Sequence, residues 1–497
     1  MDVPYIIIQA GGKGRRLGYL TENKPKALVA VDNLPMIFHI FRKYPDKRFI
    51  IIGDYKKQVL REYLRCFADV RYRMIDADGS GTCGGLRQAM GLIPEGTAFM
   101  LLWSDLVLPT NFEIPDATAN YIGISQNFRC RWSYKDGQFM EEPSEEHGVG
   151  GLFIFEDNSC TKDVPENGEF VAWLCDSGIK FHVLGLGGAM EYGLLSILQD
   201  MEPEKCRPFN RVYREGEVFI KEGIDEQGMA LAERERNWYR YAREKGYSRI
   251  PKIFEFEPLR MEFIHGRNIY EYRDIPVDRK KRIIAQLVSS LKELHCIDTI
   301  PADNYSVHDA YIGKTFKRLD SVRDLIPFAD REYVNVNGRD CRNIFFCKHE
   351  LESKIESMDF DTFHLIHGDP TFSNIMLRDG HEPVLIDPRG YFGFTELHGD
   401  PLYDWAKLYY SIVGNYDRFN LKDFELHIKE DGVFLEVASS GWEDFEGYFL
   451  ELSGASPEAI KLIHAIIWLS LTTYAWQDYD SICGAFYNGL LYMSEVL

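Results

Sequence analysis

The chain has 497 residues, and at roughly 100–200 residues per domain that length points to about two to four domains. Its 57 lysines and arginines against 77 acids leave a formal charge of −20, so most of the surface repels nucleic-acid phosphates and anionic membranes. A hydrophobic fraction of 45% with 14% aromatics excludes the disordered and fibrous classes.

The N-terminal run MDVPYIIIQAGG has no basic leader and no A-x-A-like cleavage site, so it reads as a strand and a cytoplasmic location is expected. Strands are predicted at Tyr5–Gln9, Phe49–Gly53 and Met100–Trp103, with helices at Met36–Tyr44, Lys57–Cys66 and Gly85–Met90. That alternation predicts an α/β, Rossmann-like unit: a mostly parallel sheet covered by helices on both faces, with ligands at the carboxyl ends of the strands. The polar segment QDMEPEKCRPFN at 199–210 breaks the pattern and divides the chain into domains 1–205 and 206–497. Beyond it come a hairpin, VYREGEVFIKEG, a charged helix over Met229–Lys245 and a second hairpin through Phe254–Phe263. Helical patterns follow at Arg279–His295 and Pro457–Trp476, interrupted by apolar runs around Leu365 and Leu385. A bilobal α+β domain with a small β-rich lobe and a larger helical one is expected. The uncharged stretch Leu462–Trp476 is shorter than the roughly 20 residues a bilayer-spanning helix needs, so no membrane partner is expected. The ten cysteines include no C-x-x-C pair, which predicts reduced thiols.

Two motifs carry chemistry. The first is Q-A-G-G-K-G-R-R-L, directly after the first strand, where Gly11, Gly12 and Gly14 offer bare backbone N–H groups to a phosphate. Arg16 and Lys26, the latter in ENKPKAL, can bring two cations to the same phosphate chain. The second is H-G-D-P-T-F-S-N at His367–Asn374, with Asp387 thirteen residues beyond Asn374 in VLIDPRG. An Asp and an Asn five apart on a tight loop can serve an acceptor hydroxyl and a metal ion, with Asp387 clamping the ion from the adjacent strand.

The first motif, with Gly12, Gly14, Arg16, Leu17 and Pro25–Lys26, resembles the nucleotidyltransferases that make nucleoside diphosphate sugars and CDP-linked head groups. The likeness runs through FIIIGDYKKQVLREYL, GTCGGLRQA and LLWSDLVL, over most of residues 3 to 195. It implies a catalytic Lys26 assisted by Arg16, a nucleotide-contacting segment at Gly81, Thr82, Gly84 and Gly85, and Asp105 as a Mg²⁺ ligand. Where that family often has a second acid, LGLGGAMEY shows glycine or leucine, and Asp176 in WLCDSG is the nearest substitute. The E-K-P element is altered as well, with Glu142 where a phosphate-binding lysine is usual.

The second motif resembles the aminoglycoside phosphotransferase and choline kinase family, a branch of the protein-kinase-like fold, over roughly residues 210 to 490. The likeness implies Asp369 as catalytic base and Asn374 and Asp387 as Mg²⁺ ligands. It also implies Lys221 on the ATP phosphates, paired with Glu235, which is preferred to Glu233 because Tyr239 and Ala242 then share its helix face. Arg260–Gly266 looks like the hinge strand, His295 a structural histidine, and Asp400 with Asp404 a brace for the catalytic loop. The chain departs from both kinase types at Pro388–Arg389–Gly390, where Arg389 either holds a second anion or pairs with a neighbouring acid.

Together the halves suggest a bifunctional enzyme that phosphorylates a small alcohol or sugar with ATP. It would then couple the phosphate to a second NTP (CTP, UTP, GTP or dTTP), releasing pyrophosphate and yielding an activated precursor for surface polysaccharide. Choline or ethanolamine as acceptor, with a phosphocholine-type cytidylyltransferase, stays open, as does a chain in which one half only senses ligand.

Overall fold

The computed structural model of the protein describes residues 2–77, 79–199 and 210–497. The 205/206 boundary therefore lies outside the described residues. The chain forms two compact units, one of Met1–Pro203 with Trp476–Asp480, the other of Glu204–Ala475 with Ser481–Leu497.

The first unit is built on a nine-stranded sheet. Ile6–Ile8, Phe49–Ile52 and Met100–Leu102 are all buried, as central strands covered on both faces must be. Tyr5–Gln9 lies between Arg48–Gly53 and Phe99–Trp103, parallel to both, and Arg71–Asp76 adds a further parallel strand. The sheet as a whole is mixed, because Gly148–Phe155 runs antiparallel to both Phe99–Trp103 and Tyr121–Ser125. Its register decides where chemistry can occur. Gln9 stands level with Ile52 and Trp103, so the segments that follow the three strands, Gly11–Gly14, Asp54 and Asp105, leave from one edge.

Residues from far along the chain complete this unit. Lys24 is only 2% exposed, with Nζ 2.6 Å from a carboxylate oxygen of Asp478 and 2.6 Å from one of Asp480. Burial works against its charge, but the two carboxylates more than offset that and hold its pKa above the ordinary lysine range. Asn23 donates to Asp480 at 3.1 Å, and the Trp476 ring lies 5.5 Å from that of Phe38.

The second unit opens with an antiparallel sheet ordered Asn210–Glu215, Val218–Gly223, Leu259–Glu262, Ile253–Phe256. The helix Glu226–Glu244 follows, capped by Asp225, whose carboxylate accepts from Gly228 N at 2.7 Å, and it buries Trp238, Tyr239 and Ala242. The rest is mainly helical and includes Val277–His295, Pro401–Ile412 and Pro457–Leu471. The last helix stops five residues before the sequence pattern suggests. Thr472 and Thr473 are β-branched, and Thr472 Oγ1 bonds back to Leu469 O at 3.1 Å, so the chain tightens into a 3₁₀ turn over Thr472–Ala475. Among the described residues no helix is long and apolar enough to cross a membrane, and no disulfide joins the described cysteines.

Candidate active sites

In the first unit the glycine loop and Lys26 are mutually fitted. Gly14 has φ 63°, which favours glycine, and a Cβ there would stand 3.1 Å from Lys26 Cβ and 3.2 Å from Thr21 Cγ2, a tight fit. Lys26 N donates to Gly12 O at 3.4 Å, tying the two halves of the loop together. Lys26 Nζ forms an ion pair with the Asp105 carboxylate, the side chains being 13% and 8% exposed. Arg16 is largely exposed and reaches Glu191 at 3.1 Å. Glu191 belongs to a short strand, Met190–Glu191, whose register sets it opposite Leu106, next to Asp105. Burial and then the Asp105 charge raise the pKa of Glu191, while Lys26 and Arg16 pull it down. Two cations and two carboxylates thus share one corner of the sheet edge.

Sequence reasoning missed Glu191. Asp176, the residue proposed for the second acid, is exposed in the last turn of the helix Phe170–Ser177, and the carboxylate that meets Asp105 is Glu191. The available signal was the acid immediately before Tyr192; a search for an Asp earlier in LGLGGAMEY passes over it. The segment at Gly81–Gly85 is anchored to the same edge. The Gln9 side chain bonds to Thr82 O, and Thr82 Oγ1 accepts from Phe170 N at 2.7 Å.

In the second unit Lys221 stands on the strand Val218–Gly223 and is 11% exposed, with Nζ 2.8 Å from Glu235 and also bonded to Asp387. Burial pushes the pKa of Glu235 up to about 7 against the pull of Lys221. Tyr239, one turn on, accepts from Asp387 N at 3.2 Å. Asp387 takes φ 55°, an unusual conformation for a residue with a Cβ.

The loop His367–Asn374 is held from behind. Both oxygens of the buried Asp404 are used: Oδ1 accepts from Gly368 N at 2.7 Å, and Oδ2 from His367 N at 2.9 Å with His295 Nε2 at 3.0 Å. His367 Nδ1 accepts from Asp369 N at 3.3 Å, so its Nε2 carries the proton donated to Ile386 O at 3.0 Å. Gly368 has φ 79°, and a Cβ there would come 2.8 Å from Arg389 Cβ. In front, Asn374 Nδ2 donates to Asp369 O at 2.9 Å and Oδ2 at 3.1 Å, while Lys407 Nζ lies 2.9 Å from Oδ1. The structure therefore brings Lys221, Glu235 and Asp387 together, and Asp369 with Asn374.

Both clusters fit Mg²⁺. They offer hard oxygen donors, Asp105 with Glu191 and Asp387 with Asn374, and Mg²⁺ typically takes one or two carboxylates with the remaining positions going to water and substrate phosphates. A closed cage of three or more acids, histidines or cysteines is absent among the described residues.

Asp400 caps the helix Pro401–Ile412 and accepts from Tyr311 Oη at 2.5 Å; burial raises its pKa to about 6. The unfolded chain therefore ionises this group before the folded one does. Its contribution to stability is greatest below about pH 4 and declines by up to about 3 kcal/mol as pH rises towards 6. The stability difference between wild type and Asp400→Asn, from denaturant titrations at pH 4 and pH 6.5, should shrink accordingly.

Residues 6–119 match the MobA-like NTP transferase domain, and residues 222–426 match the phosphotransferase enzyme family. Among curated proteins, a UTP–glucose-1-phosphate uridylyltransferase of Haloferax volcanii is 37% identical over 60 residues, 12% of this chain and 25% of the relative. A glucose-1-phosphate cytidylyltransferase of Salmonella typhimurium is 29% identical over 126 residues, 20% of this chain and 49% of the relative. The chain thus spans between a quarter and half of these relatives. Of solved structures, the inositol-1-phosphate CTP transferase from T. maritima aligns at 15% identity and a TM-score of 0.33, over 39% of this chain and 91% of that one. The CTP:phosphocholine cytidylyltransferase from Streptococcus pneumoniae aligns at 21% identity and a TM-score of 0.32, over 39% of this chain and 96% of that one. One polypeptide here joins a MobA-like NTP transferase domain to a phosphotransferase-family domain.

Proposed function

We propose that the second unit phosphorylates a small alcohol or sugar with ATP and that the first couples the resulting phosphate monoester to an NTP, releasing pyrophosphate. The observation that carries this reading is the pairing of Lys221, Glu235 and Asp387 in one cluster with Asp369 held against Asn374 in the neighbouring loop. Asp369 accepts the proton of the acceptor hydroxyl as that oxygen attacks the γ-phosphorus. Lys221 holds the ATP phosphates, and Glu235 keeps its ammonium in place. Asn374 and Asp387 would hold Mg²⁺, which supplies neutralisation of phosphoryl charge.

In the first unit the monoester oxygen attacks the α-phosphorus of the second NTP. Lys26 and Arg16 neutralise the charge that accumulates on the phosphoryl oxygens, and the loop of Gly11, Gly12 and Gly14 offers N–H groups to the phosphate chain. Asp105 and Glu191 would hold Mg²⁺ there, and Gly81, Thr82, Gly84 and Gly85 contact the nucleotide. The product of one site is the substrate of the other, which supports consecutive action towards a nucleotide-activated sugar for surface polysaccharide, made in the cytoplasm.

The test gives the full chain Mg²⁺, ATP, a panel of alcohols and each NTP in turn. Release of pyrophosphate that requires both the alcohol and ATP is expected. Release that never depends on the alcohol would refute consecutive action.

A further inference from the structure

Two cations, Lys407 and Arg389, lie beside Asp369. Lys407 Nζ is 2.9 Å from Asp369 and lies 6.0 Å from the centre of the Tyr403 ring. Arg389 shares that ring at 5.9 Å and donates to the hydroxyls of Tyr403 and Tyr391, each at 2.7 Å. The choice left open by the sequence is thus narrowed: Arg389 sits against two neutral hydroxyls and makes no ion pair among the described residues. The Tyr311 ring is 6.3 Å from Tyr403, and Lys314, one turn further along the same helical segment, begins the helix Lys314–Val322 with Arg318 four residues on, on the same face. Arg318 donates to Ser470 O at 2.7 Å and Oγ at 2.9 Å, again without an acid.

The electrostatics agree with this geometry. Burial, followed by the charges of Arg389, Arg318 and Lys407, drives the pKa of Lys314 well below the lysine range against the opposing charge of Asp309. Asp369, whose charge also favours the Arg389 guanidinium, is already engaged by Lys407 and Asn374. Desolvated cations that repel one another are costly unless an anion joins them, and a site arranged this way would reject a quaternary ammonium.

We infer that the alcohol phosphorylated by the second unit carries an oxyanion of its own, a carboxylate or a phosphate ester, seated by Arg389, Lys314 and Arg318 beside Asp369. This rests on the kinase reading proposed above and disfavours choline and ethanolamine as acceptors. The transferase would then receive a phosphate monoester that carries a second negative group.

The test uses the full chain with Mg²⁺ and a saturating non-hydrolysable ATP analogue, and measures binding of labelled inorganic phosphate, D-glycerate, glycerol 3-phosphate and choline by equilibrium dialysis. The expected result is oxyanion binding that weakens at least tenfold in Lys314→Met and Arg318→Gln and persists in Lys26→Ala, with choline unbound. A stronger response to D-glycerate than to phosphate and glycerol 3-phosphate identifies the carboxylate class, and the reverse identifies the phosphate class. Oxyanion binding that is absent, or unchanged in both Lys314→Met and Arg318→Gln, or choline binding tighter than either oxyanion, overturns the inference. Replacing the cations should also leave the affinity for the ATP analogue within about twofold; a loss there instead would assign them to the nucleotide and overturn the inference too. Failure of the analogue to bind wild type, or binding unaffected by Lys221→Ala, refutes the kinase reading itself, which separates the two failures.

Discussion

Asp369→Asn is expected to lower ATP-dependent phosphorylation by about 10²–10⁴-fold, the contribution of a positioned general base. The substitution keeps size and shape, so Asp404, His295 and the backbone N–H groups of His367 and Gly368 retain their bonds and the loop stays in place. What is lost is the acceptor for the hydroxyl proton, together with the carboxylate partner of Lys407. ADP formation measured against acceptor concentration should show the loss in kcat. Pyrophosphate release from NTP and a supplied phosphate monoester, which the proposal assigns to Lys26, Arg16, Asp105 and Glu191 in the other unit, should keep its rate. If both half-reactions fell together, the assignment of separate chemistry to the two units would be wrong.

Lys24→Met should cost the first unit about 3–5 kcal/mol, the penalty for removing one member of a buried ion pair. Lys24 is 2% exposed and lies between two carboxylates, so methionine fills the space of the stem and takes the ammonium away from both Asp478 and Asp480. Burial, with the neighbouring Asp478 charge, already raises the pKa of Asp480, and losing the lysine pushes it further. Calorimetric or denaturant unfolding should show the first unit's transition moving down while the second unit's stays. Adding Asp478→Asn and Asp480→Asn to Lys24→Met should restore part of the loss, since neutral amides no longer require the ammonium. A midpoint shift worth less than about 1 kcal/mol would mean that the cluster is solvated in solution. Lys24 is separated from Lys26 by Pro25 alone, so transferase activity should fall along with stability.

The elements most legible in the sequence are those whose cause is local. Tyr5–Gln9 opens with the unbroken apolar run Tyr5–Ile8 and is soon followed by glycines, and its bounds are those of the strand in the structure. The hairpin over VYREGEVFIKEG is equally plain, with Arg-Glu-Gly-Glu between β-rich flanks. In the loop His367–Asn374, Asp369 and Asn374 are only five residues apart, so their pairing in space follows from one tight turn. Lys221 and Glu235 meet because a strand feeds directly into a helix, and helical spacing selected the glutamate that faces inward.

What stayed hidden depends on contacts over long separations. Glu191 reaches Asp105 only through a two-residue strand whose pairing no local pattern announces. Asp176 is the acid nearest before LGLGGAMEY, yet it belongs to the exposed end of a helix. The cations near Asp369 come from separate segments: Lys314 and Arg318 stand in no recognisable motif, and Lys407, three residues beyond Asp404, carries no local sign of its contact with Asp369. Their meaning lies in convergence, which only packing reveals. The buried pair of Lys24 with Asp478 and Asp480 spans more than 450 positions and has no sequence signal at all.

That separation has a consequence during synthesis. The first 203 residues leave the ribosome well before Trp476 is added, and at about 5–20 residues per second the wait is about a quarter of a minute to a minute. Throughout that interval the nascent transferase must shelter an ammonium group whose counter-ions have not yet been translated.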